Sequence, residues 1–196
     1  MKRWVVAALV LVLIGWWMAP PMGRDRAPGV LAPQLPVQQD LHDAQVIEHG
    51  DFRLTPLAHF SIEARVLGRE DYRFDAEAAL SPMDLALGWG RMSDSAVLDQ
   101  LDIRQSVRFY SYRWRGEPPL PPQEMVVSSA NMHLVPADAL IARQLKRVRR
   151  GDVVRIEGYL IEARRADGWF WRSSMTRQDS GAGACELVYV TAVSRS

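Results

Sequence analysis

Apolar residues run without a charge from position 4 to 19, behind Met1-Lys2-Arg3 and ahead of Pro20-Pro21. As a helix rising ~1.5 Å per residue, this stretch reaches about 24 Å, against ~30 Å for the hydrocarbon core of a bilayer. Trp4 at one end and Trp16-Trp17 at the other sit where an aromatic belt would place them. Trp17 stands two before Ala19, which makes a poor small-x-small cleavage site. A retained single-span membrane anchor over residues 1–22 is therefore expected, with a cleaved signal peptide as the alternative. Lys2 and Arg3 place the N-terminus in the cytoplasm and the rest of the chain beyond the inner membrane.

Residues 23–50 show neither a helical nor an alternating period and contain Pro28, Pro33 and Pro36. Such a stretch reads as a semi-rigid tether. His42 and His49 lie in it as solvated loop residues.

From 51 to 196 the pattern predicts one globular α+β domain. Residues 60–66 alternate apolar and polar, the two-residue period of a half-buried strand. Ser81-Pro82 ahead of Met83, Leu85 and Leu87 reads as a helix start, and Ser93-Asp94 as another. The aromatic, β-branched run 104–114 and the segment 125–135 read as strands. Ala137, Leu140, Ile141, Leu145 and Val148 recur at helical spacing and predict the clearest helix, ended by Gly151. Residues 153–163 form a strand bent at Gly158, Asp167-Gly168 marks a hairpin turn, and 187–193 a last strand.

Strand, helix, the run Gly-Asp-Val-Val-Arg-Ile-Glu-Gly-Tyr-Leu and a hairpin together resemble the second half of an OB-fold over residues 125–193. The resemblance implies a small antiparallel barrel with two or three helices. Leu85-Ala86-Leu87-Gly88-Trp89-Gly90-Arg91-Met92-Ser93-Asp94, Ser129-Ala130-Asn131-Met132-His133-Leu134 and the segments at 171–174 and 183–186 also resemble a group of uncharacterised bacterial membrane-anchored proteins. That resemblance implies an envelope location and no assigned chemistry.

Composition narrows the chemistry. Of 196 residues one is a cysteine, Cys185, so neither an internal disulfide nor a four-thiolate metal centre is possible. No cofactor or metal site is expected. The net charge is +1, but ten basic residues face four acidic ones over 141–177, while five face ten over 51–102. The basic end suits anionic headgroups or a partner protein. A domain outside the cytoplasm would not meet nucleic acid.

Several candidate sites stand beside plainer readings. Asp179-Ser180-Gly181-Ala182 has the letters of an aspartic-protease turn but no second copy. Ser180 as a nucleophile would need His59 or His133 as base, and the two barrels of trypsin-like proteases do not fit in 51–196. Cys185 with His133 would make a Cys–His pair, or Cys185 simply starts the last strand. Ser129, Asn131 and His133 share one strand face, either lining a site or facing solvent. Trp169, Trp171, Arg172 and Tyr159 form either a ligand-stacking platform or a packing cluster. The function expected is binding of a partner protein or envelope polymer. The alternative is a hydrolase using Cys185 or Ser180 with His133.

Overall fold

The computed structural model describes residues 24–74, 77–176 and 185–196. Its strands are β1 (Val37–Asp40), β2 (Ile47–His49), β3 (Phe52–Asp71), β4 (Met83–Gly88), β5 (Asp102–Ser106), β6 (Phe109–Arg113), β7 (Ser129–Pro136), β8 (Val153–Arg165), β9 (Phe170–Arg172) and β10 (Glu186–Arg195). Three short helices, α1 (Ser95–Leu98), α2 (Pro122–Val127) and α3 (Ala139–Leu145), and a 3-10 turn at Gly90–Ser93 complete it.

The expected α+β class is corrected: 47% of the described residues are strand and 13% helix. The expected small antiparallel barrel is corrected to one eight-stranded sheet that is not purely antiparallel, because β7 and β10 run parallel. No helix of the described residues is long and apolar enough to cross a membrane, and the leader at 1–22 lies outside them.

The missing helical content traces to residues 81–87. Met83, Leu85 and Leu87 point into the main core, whereas Asp84 and Ala86 point to the opposite face, which is also covered. A strand buried on both faces shows no polar alternation, so its apolar run mimics a helix. The strand expected over 104–114 is really β5 and β6, folded back on one another. Their turn holds Val107 and Arg108 at φ of 49° and 63°, without the glycine or asparagine that would announce a hairpin.

β3 is the spine. It pairs along β8 for most of its length and along β4 at its far end, while β4, β7, β10 and β8 pair in turn. Phe60, Ile62, Met132, Leu134, Ile156, Leu160 and Val188 fill the space these strands surround, and Ile141, Leu145 and Val148 add the apolar side of α3. Asp138 caps that helix, accepting from the amides of Leu140 and Ile141. Gly158 fits because a Cβ there would strike the Tyr189 carbonyl where β10 bulges.

Residues 24–50, expected as a free tether, lie on this domain. β1 and β2 both pair with β3, and Ala32 is fully buried, its amide donating to Ser93 Oγ. Proline-rich chain carries no period, yet its remaining amides must find acceptors, and the domain supplies them.

Candidate functional site

The outward face of the sheet has a closed region and an open one. The closed region starts from Asp84, a carboxylate with no exposed surface near the start of β4. Directly across the strand pair is His133, whose Nδ1 lies 2.9 Å from Asp84 Oδ1. Arg108 reaches the same oxygen at 3.1 Å from the tip of the β5–β6 hairpin, and Asn131 Nδ2 donates to Asp84 Oδ2 at 3.2 Å. Asn131 also donates to the Arg108 carbonyl and accepts from Gln105, which ties the hairpin to the sheet twice more.

Rings close the cluster from above. The Arg108 guanidinium lies 4.0 Å from the Tyr72 ring centroid and 5.4 Å from that of Trp171. Trp171 in turn packs on His133 at 4.6 Å. Burial, then the Asp84 carboxylate, pushes the Tyr72 phenol well above its ordinary range, so it stays a neutral hydroxyl that accepts from the Arg108 amide. A buried carboxylate is tolerable only when paired and hydrogen-bonded, and here one cation and two polar side chains surround it.

The polar stripe Ser129, Asn131, His133 is therefore no solvent face: the three are 8%, 4% and 3% exposed. Cys185 is half-buried beside this cluster, with Sγ 3.9 Å from the Arg108 carbonyl. A Cys–His pair needs the thiol within hydrogen-bond reach of the imidazole, and the imidazole free to meet a substrate. Trp171 packs against that imidazole, which is 3% exposed. Asp179 and Ser180 lie outside the described residues.

The four residues expected as a platform separate. Trp169 and Trp171 do share a face, as alternation requires, and both are half-buried. They pack edge-on to each other at 6.1 Å, and Trp169 packs on Phe52. Arg172 lies on the other face and donates to Glu162. Burial works against the charged form of Glu162, but hydrogen bonds from Arg172 and Arg164 outweigh it and hold the carboxyl below its usual range. Tyr159 belongs elsewhere.

That place is the open region. Register sets Gln39 of β1 beside His59 of β3, His59 beside Tyr159 of β8, and Tyr159 beside Tyr189 of β10. The His59 and Tyr159 rings stack at 4.8 Å, tilted by 41°. Over them runs a groove of about 390 Å³ whose walls carry Gln39, Ser61, Arg155, Glu157 and Thr191. The row continues to His49, set edge-on to Tyr189, and burial lowers the His49 pKa from its ordinary value.

Sequence reasoning missed Asp84 and Arg108, and it named His59 only as a base for Ser180, not as the floor of a groove. A lone acid inside Met83-Asp84-Leu85-Ala86-Leu87 was the available signal for the first, since an unpaired carboxylate is rarely placed in so apolar a run. Among the described residues no group of three or more His, Cys, Asp or Glu is placed to hold a metal ion. Comparison of the chain with protein-family models, with curated proteins and with solved structures finds no match.

Proposed function

We propose that this chain is an inner-membrane envelope protein, anchored through residues 4–19 with its domain on the outer side, that binds a carbohydrate polymer of the envelope in the β1–β3–β8 groove. The observation that carries this reading is the Tyr159–His59 floor. It offers flat, half-exposed rings for the apolar face of a sugar. The walls supply a guanidinium, a carboxylate, an amide and two hydroxyls, the donor and acceptor mixture that sugar hydroxyls need. The groove is open along the sheet, as a polymer requires.

The hydrolase alternative has one feature in its favour, Asp84 behind His133 in the order a triad would use. The His133 ring is 3% exposed beneath Trp171, and that closure is why binding is the preferred reading.

Calorimetric titration of the full chain, in neutral detergent, with soluble peptidoglycan fragments and other envelope oligosaccharides tests the proposal. Saturable binding to one of them, weakened in both Tyr159→Ala and His59→Ala, is expected. Saturation unaffected by either substitution, or heat from none of the glycans, would defeat it.

A further inference from the structure

The end of the domain where residue 24 emerges carries a second unassigned surface. α3 gives way to Lys146, Arg147, Arg149 and Arg150, all exposed around the buried Val148. The Arg24 amide donates to the Arg150 carbonyl, and Arg26 Nε donates to the Gly151 carbonyl. Gly151, at φ 87°, allows that approach, because a Cβ there would collide with the Arg24 carbonyl. The leader's exit is thus fixed among these cations.

Between them opens a cavity of about 310 Å³ lined by Arg24, Arg65 and Arg150, with Asp25, Asp99 and Ile103 opposite. Arg65 is the unusual member. It is 8% exposed, yet its hydrogen bonds go to neutral oxygens, the Ser93 carbonyl and Ser95 Oγ. Among the described residues no carboxylate forms an ion pair with it, whereas Arg24 and Arg195 both pair with Asp152. A buried guanidinium whose nearest carboxylates stand off, as Asp99 and Asp94 do here, is incompletely compensated and binds carboxylates or phosphates strongly when they arrive. Burial lowers the Arg65 pKa first, and Arg26 and Arg150 crowd it further against the pull of Asp99 and Asp94.

We propose that this Arg24–Arg65–Arg150 end docks on the anionic phospholipid headgroups of the membrane, with a lipid phosphate entering the Arg65 cavity. This rests on the reading of residues 4–19 as a retained anchor. The chain enters the domain at this end, so an anchored domain presents it to the bilayer, where each well-placed cation strengthens attraction to anionic lipid.

The test is hydrogen–deuterium exchange on the full chain in phosphatidylcholine nanodiscs, with and without phosphatidylglycerol. Amides of 98–103 and 146–151 are expected to exchange at least about threefold more slowly in the anionic discs. The difference should shrink in Arg147→Gln/Arg150→Gln, whose side chains are exposed, and vanish in Arg65→Gln, with thermal unfolding confirming that each variant is folded. Equal exchange in both discs overturns the proposal. So does equal protection by soluble glycerol 3-phosphate added to phosphatidylcholine discs, which would assign the cavity to a free phosphate. Failure of the chain to enter either disc removes the anchor, and this inference with it.

Discussion

Two regions of one sheet face are built from similar residues and behave in opposite ways. Around Asp84 a histidine, an arginine, an asparagine and two large rings contact one another, and Asp84 and His133 are buried. Around Tyr159 a histidine, an arginine, a glutamine and a ring line an open groove. What separates them is the β5–β6 hairpin, which lays Arg108 over the first and does not reach the second. Reactive residue types therefore say little about function until their covering is known. Here the cluster with the more catalytic-looking inventory holds the β5–β6 hairpin on the sheet, a latch in that sense.

The latch should dominate stability. Asp84→Ala leaves Arg108 and His133 buried without their carboxylate and is expected to cost about 3–5 kcal/mol in urea denaturation. A cost below about 1 kcal/mol would mean that the cluster is wetter and looser than the geometry implies. Trp171→Ala should cost about 2–3 kcal/mol, less than a fully buried indole because the ring is half-buried. Val107 is 79% exposed and sits in left-handed backbone, where a β-branched residue is strained. Val107→Asn should raise stability by about 1 kcal/mol, and no change would remove strain from the description of the turn.

The open region should show the reverse profile. Tyr159→Ala is expected to alter stability by about 1 kcal/mol or less while weakening glycan binding about five- to tenfold. The smallest effect concerns His49. Burial lowers its folded-state pKa below the ordinary 6.5, so the unfolded chain binds its proton first as pH falls. Its contribution is complete above about pH 6.5 and declines below it. Chemical denaturation at pH 7 and pH 5 should show a slightly larger loss in the natural chain than in His49→Gln.

Much of the second half was legible in the sequence because its signals were local. The 137–150 period, the Asp167-Gly168 turn and the terminal apolar run correspond to α3, the β8–β9 hairpin and β10. The first half was misread where two faces are buried at once. Residues 83–88 look helical only because Leu85 and Ala86 both have apolar surroundings, supplied by segments distant in the chain. The hairpin was hidden because Val107 and Arg108 occupy a conformation their residue types disfavour. Of the site, alternation put Trp169 with Trp171 and Asn131 with His133, each pair on one side of its own strand, and the two pairs meet where Trp171 packs on His133. Nothing local could show that Arg108 would reach Asp84, or that His59 would stack on Tyr159 from a strand a hundred residues earlier.

The division between latch and groove is tested most directly by incubating the polymer bound in the calorimetric assay with the full chain, Tyr159→Ala and Cys185→Ala, and measuring pelleted protein and released fragments together. The account predicts that Cys185→Ala sediments like the natural chain, that Tyr159→Ala largely stays in the supernatant, and that none of the three releases fragments. Fragment release by the natural chain that Cys185→Ala abolishes, with Tyr159→Ala binding normally, would contradict it.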